Sequence, residues 1–144
     1  MVLLDAVRSS NASIASSLPA GLVAVFVGAT NGIGETSLKQ FAKHTRQPRV
    51  YFLGRSQKAG DRIAAECKAL NAKGEFHFMK TDVSLIRNVD QVCQDIKSKE
   101  KSINLLFLTQ GSLIAGVGAS AVSFLIISEI YCHLFIYRAI TRVA

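Results

Sequence analysis

The sequence predicts an α/β fold: a parallel sheet of about four strands with flanking helices, followed by an apolar C-terminal tail. Three observations carry that expectation. Short strand-like runs recur at 22–27, 50–53, 75–79 and 103–108. Between them lie longer segments with apolar residues at helical spacing, and this alternation implies crossovers that keep the strands parallel. A glycine-rich turn follows the first run. The chain therefore divides into a lead-in segment at 1–21, an α/β unit at 22–111 and a divergent tail at 112–144.

Each element has its own signals. In the lead-in, Val7, Ile14 and Leu18 fall at loosely helical spacing, and Pro19 and Gly21 end the helix. Residues 22–27 are continuously apolar, as in a strand buried on both faces. The turn at 28–34 leads into a helix running to about Thr45, with Leu38, Phe41 and Ala42 on its inward stripe. Beyond the second strand, Ile63, Cys67 and Leu70 mark the next helix. Ser84 is placed to cap the one after, whose stripe is Ile86, Val89, Val92, Cys93 and Ile96.

Composition narrows the function classes. Hydrophobic residues make up 49% and charged residues 19% of the 144, which suits one domain with a core and not a disordered chain. The net charge is +7, but the 17 Lys and Arg residues are dispersed. Their densest run, Lys97, Lys99 and Lys101, has no interleaved aromatics, so solvated helix faces and no nucleic-acid partner are expected. Cys67, Cys93 and Cys132 have no metal spacing, and His44, His77 and His133 are isolated, so no metal site is expected. Cys67 and Cys93 sit on apolar stripes as small buried hydrophobes, consistent with a reducing, cytoplasmic setting. The first residues do not have the pattern of a signal peptide.

The turn reads Val27-Gly28-Ala29-Thr30-Asn31-Gly32-Ile33-Gly34. Placed between a buried strand and a helix, such glycines permit a tight turn and close approach of a pyrophosphate to the helix N-terminus. The spacing is Gly-x-x-x-Gly-x-Gly, and with Ile33 between the last two glycines it resembles the turn of the short-chain dehydrogenase/reductase family. Two further matches are Leu53-Gly54-Arg55-Ser56 after the second strand and Thr81-Asp82-Val83-Ser84 after the third. The resemblance covers roughly 22–111.

What the resemblance implies is a partial Rossmann fold that binds NADP. NAD-using members carry an acid at the end of the second strand, where this chain has Gly54 followed by Arg55. A guanidinium suits the 2′-phosphate that a carboxylate would repel. The implied cofactor-binding residues are Gly28, Thr30, Asn31, Gly32, Ile33, Gly34, Arg55, Ser56, Asp82 and Val83. Asp82 would meet the adenine amino group, and Val83 would lie against the ring. The plainer readings are a surface arginine at Arg55 and a helix cap at Asp82. The family's Asn-Ala-Gly at the end of the fourth strand is here Thr109-Gln110-Gly111, of which Gly111 alone matches.

Members of the family use a Tyr, a Lys four residues later and a Ser. Here Tyr51 is followed at that distance by Arg55, Tyr131 by Phe135 and Tyr137 by Thr141, and no Lys follows Lys101. No catalytic residue is assigned. The expectation is a truncated, inactive relative with only the family's N-terminal half. Its parent would move hydride between NADP(H) and a carbonyl or alcohol. Similarity to fungal members implies secondary-metabolite biosynthesis for that parent, such as terpenoid tailoring. The alternative is a non-catalytic nucleotide-binding or interaction module that self-associates through an exposed sheet edge.

The tail has three readings. It replaces the family's second half, through a frameshift, a retained intron or a wrong gene model; it packs as a helix on the fourth strand; or it anchors the chain in a membrane through 111–137. The uncharged run 111–128 is 18 residues, short of the ~20 that span a bilayer, and rich in Gly and Ser.

Overall fold

The computed structural model describes residues 2–110. The elements are α1 (Leu4–Ser17), β1 (Val23–Val27), α2 (Gly32–His44), β2 (Arg49–Gly54), α3 (Gln57–Leu70), β3 (Glu75–Lys80), α4 (Ile86–Lys99) and β4 (Leu105–Leu108). The strands form one parallel sheet in the order β3-β2-β1-β4. This is the expected α/β, Rossmann-like architecture. The tail, including the expected membrane segment at 111–137, Tyr131 and Tyr137, lies outside the described residues. Among the described residues, no helix is long and apolar enough to cross a membrane, and no strand pairs with the outer edge of β4.

The apolar run of β1 is explained by its central place in the sheet. Its side chains alternate between two cores. Val23, Val25 and Val27 join Tyr51 and Leu53 under Val89, Val92, Cys93 and Ile96 of α4. Ala24 and Phe26 face the other way, with Val50 and Phe52 under Leu38 and Ala42 of α2 and Ile63 and Cys67 of α3. Phe26 and Phe52 are fully buried, each contributing roughly 1.5–3 kcal/mol by burial. Burial also pushes the Cys67 thiol up to about 11 and raises that of Cys93, so both are inert packing groups.

Three helix details differ from the sequence pattern. The α1 stripe does not dock: Val7 and Leu18 are exposed, and only Ile14 is half-buried. Leu70 of α3 and Ile86 of α4 are also exposed, each at the very end of its helix, the last residue of α3 and the first of α4. Ser84 does not cap α4. The cap position is Leu85, without a side-chain bond, while Ser84 turns back to donate its hydroxyl (2.8 Å) and its N–H (3.0 Å) to Asp82 Oδ1.

Two polar clusters tie elements together, one between the neighbouring helices α2 and α3 and one between β2 and the end of α4. Arg62 of α3 donates to both carboxylate oxygens of Glu35 on α2, at 2.8 and 2.9 Å, and Lys39 bridges Glu35 and Glu66. The Arg62 guanidinium first, and Lys39 second, pull the Glu35 carboxyl down to about 2. At the amino ends of the strands, Glu100 is buried. It accepts from Arg49 at 2.8 Å and from the Tyr51 hydroxyl at 3.0 Å. Burial, reinforced by the Glu100 bond, pushes Tyr51 up to about 12.

Candidate functional site

The strands end level. Val27 pairs with Leu53 and Leu108, and Leu53 pairs with Met79, so the segments that follow form one rim at the carboxyl edge of the sheet. The chain leaves β1 for β2 on one side, while β4 lies on the other side of β1. That makes the end of β1 the topological switch point, where open α/β sheets bind ligands.

The glycines of the turn have separable roles. Gly28 has φ +81°, and a Cβ there would stand 2.7 Å from the Gln110 nitrogen and 2.9 Å from the Thr109 carbonyl carbon. At Gly34 a Cβ would overlap Thr109 Oγ1 and approach Gly28 O to 2.6 Å. These two glycines let the turn press against the end of β4. Thr109 closes that contact, donating its N–H (2.9 Å) and its hydroxyl (3.0 Å) to Val27 O. Gly32 is different. It opens α2 with φ +54°, and a Cβ there would meet nothing within 4 Å. Open space thus stands before the first turn of α2, whose cap residue Asn31 makes no side-chain bond to it. Ile33 beside it is exposed, and Thr30 is half-buried.

The second strand delivers Gly54, Arg55 and Ser56 to the same rim. Arg55 and Ser56 are exposed. Ser56 caps α3, its Oγ accepting from the Ala59 N–H at 3.4 Å, so the hydroxyl proton is left to donate outward. A Cβ at Gly54 would overlap the Thr30 Cγ2 methyl and lie 3.0 Å from Thr30 Oγ1. Asp82 and Val83 follow β3, both half-buried. The Ser84 hydroxyl first, then its N–H, and more weakly the Arg55 charge, hold the Asp82 carboxyl low, so it is a carboxylate at neutral pH. Asp82 is held in this turn and is not the cap of α4. Both polar atoms of the Gln110 amide are buried with no hydrogen-bond partner among the described residues.

Of the residues singled out from sequence, Gly28 to Gly34, Arg55, Ser56, Asp82 and Val83 all follow the carboxyl ends of strands. Tyr51 does not join them, since its hydroxyl is committed to Glu100. Among the described residues no cluster of His, Cys, Asp or Glu is placed to hold a metal ion. A cavity of about 360 Å³, lined by Ala20, Thr45, Arg46, Gln47, Asn71 and Lys73, lies at the opposite end of the sheet. Sequence reasoning missed the Thr30–Gly54 contact; a glycine ending a strand pattern was the available signal for close approach.

A glycine turn at the switch point of a parallel sheet defines a Rossmann-type α/β domain. The family model for short chain dehydrogenase matches residues 22–125. This chain belongs to that family. An oxidoreductase from Emericella nidulans is 43% identical over 116 residues, covering 81% of this chain and 34% of the relative. The chain thus spans about a third of the length of that relative. Among solved structures, the E. coli oxidoreductase yciK aligns with TM-score 0.69 at 16% identity, over 82% of this chain and 52% of that one. The L-sorbose reductase of Gluconobacter frateurii, in complex with NADPH and L-sorbose, aligns with TM-score 0.65 at 19% identity, over 80% of this chain and 46% of that one.

Proposed function

We propose that this chain is the NADP(H)-binding portion of a short-chain oxidoreductase that interconverts carbonyl and alcohol groups. The observation that carries the reading is the set of anion donors on one rim. The first turn of α2 stands at open space beside Gly32, and Arg55, the Ser56 hydroxyl and the N-terminus of α3 stand together one strand away. The first group suits a pyrophosphate and the second a 2′-phosphate. Asp82 and Val83 continue the rim on the adenine side, the carboxylate accepting from an amino group and Val83 offering apolar surface. Gly28, Thr30, Asn31, Ile33 and Gly34 complete the phosphate turn. When bound, the cofactor supplies the hydride. The NADPH in the L-sorbose reductase complex supports the choice of nucleotide, and the Emericella relative supports a fungal setting. Secondary-metabolite tailoring, terpenoids included, is the pathway class proposed for the whole enzyme.

Within the 144 residues no Tyr has a Lys four positions on. We therefore assign these residues to binding and orienting the cofactor and assign them no proton transfer. The test is a titration of the chain with NADPH and NADH, repeated for Arg55→Asp. A charge-assisted pair is worth about 1.5–3 kcal/mol, so NADPH binds roughly 10- to 100-fold more tightly. Arg55→Asp reverses the order. Equal affinities in the unmodified chain refute the assignment of Arg55. Nucleotide binding without turnover is expected of this portion, which has no Tyr with a Lys four positions on; binding of neither nucleotide favours an interaction module over the cofactor-binding portion of an enzyme.

A further inference from the structure

We infer that Thr30 is a specificity-determining residue: its side chain fills the space an acidic residue at position 54 would need, and so excludes recognition of an unphosphorylated ribose. The inference rests on the nucleotide reading above. In dinucleotide folds an acid about 20 residues beyond the glycine turn holds the ribose hydroxyls when the 2′-phosphate is absent. Gly54, the last residue of β2, stands 20 residues after Gly34.

The chain does not merely lack that acid; its place is occupied. A Cβ at position 54 would overlap the Thr30 methyl, with Thr30 Oγ1 at 3.0 Å and Thr30 Cβ at 3.2 Å. Rotation of Thr30 does not clear the space. Its two γ heavy atoms fill two of three staggered positions. Whichever rotamer it takes, at least one of the two positions nearest Gly54 stays filled. Withdrawal is also restricted, because Thr30 is half-buried in the turn and is flanked by Ala29, which is fully buried. Arg55 attracts the phosphate, and Thr30 blocks the alternative. Specificity built from an attractive and a repulsive element is the general pattern.

The test is a double-mutant cycle in the full chain with Gly54→Asp, Thr30→Ala and the pair, read by melting temperature and by NADH and NADPH affinity. Thr30→Ala removes both γ atoms and leaves, of the three nearest contacts, the Cβ at 3.2 Å. The expected result is that Gly54→Asp alone melts several degrees lower and gains little NADH affinity. Adding Thr30→Ala recovers most of the lost melting temperature and shifts preference toward NADH about tenfold or more relative to Gly54→Asp alone. The inference is overturned if Gly54→Asp alone is as stable as the unmodified chain and binds NADH as well as the pair does, or if the two melting shifts simply add. Should Gly54→Asp fail to fold, Gly54→Ala with the same partner reads the same contact through its melting temperature, and additive shifts there overturn it equally. If the unmodified chain binds neither nucleotide, the nucleotide reading falls and takes this one with it. If it binds NADPH and the pair of substitutions shows no coupling, Thr30 alone is refuted.

Discussion

Replacing Gly28 by Ala tests whether the turn is held against β4. Two costs act together. Gly28 has φ +81°, and a side chain in the left-handed region costs about 1–2 kcal/mol. The new methyl would also stand 2.7 Å from the Gln110 nitrogen and 2.9 Å from the Thr109 carbonyl carbon, both backbone atoms that cannot rotate away. Overpacking of this kind adds about 1–3 kcal/mol, for a total of roughly 2–5 kcal/mol. Gly32→Ala is the matched control. Its φ is +54°, but a Cβ there meets nothing within 4 Å, so it bears only the conformational cost. Both lose the same unfolded-chain freedom, which cancels in the comparison. The assay is urea unfolding. With a slope near ~1–3 kcal/mol/M, Gly28→Ala unfolds roughly 1 M earlier than Gly32→Ala, without change of slope. Coincident midpoints would refute the close approach of the turn to Thr109 and Gln110.

Other consequences are measurable in the same chain. Glu35 is lowered from 4.5 to about 2 by Arg62 and Lys39, so its contribution to stability is present above pH 4.5 and lost as pH falls toward 2; Glu35→Gln flattens the urea midpoint over that window, and an unchanged pH profile would contradict the network. Tyr51→Phe removes one of two donors to the buried Glu100 and is expected to cost about 1–3 kcal/mol. Tyr51 itself is raised from 10.0 to about 12, so its stabilising effect is present below pH 10 and lost as pH rises through 12; ultraviolet titration showing Tyr51 ionising near pH 10 in the folded chain would contradict its burial. With NADPH and a panel of ketones the chain shows no reduction above background, since general acid catalysis alone typically supplies ~10²–10⁴-fold; turnover abolished by Tyr131→Phe or Tyr137→Phe would overturn that expectation.

The sheet was legible because its code is local. Five consecutive apolar residues at Val23–Val27 need burial on both faces, and only an inner strand provides it. The glycine turn was legible because its spacing reflects steric demands that one strand, one turn and one helix impose. The strand order and the polar hubs were not. Glu100 finds Arg49 and Tyr51 about 50 positions away, and no periodicity encodes that pairing. Ser84 followed the usual preference for a cap but bonds Asp82 instead, since a carboxylate two residues back competes for its hydroxyl and N–H. The exposed stripe of α1 shows the converse error: helical spacing establishes a helix but not its docking. At the site, residue identity gave Arg55 and its charge, whereas the contact of Thr30 with Gly54 depends on two turns from different strands meeting in space.

That the rim at the strands' carboxyl ends is the nucleotide site is tested most directly by nuclear magnetic resonance of the labelled chain titrated with NADP⁺. The backbone amides of Gly28, Asn31, Gly32, Ile33, Gly34, Arg55 and Ser56 shift together and saturate with one affinity, while those of Arg46, Gln47 and Lys73 around the opposite cavity stay in place. Shifts confined to Arg46, Gln47 and Lys73, or an unmoved glycine turn at saturating nucleotide, would contradict it.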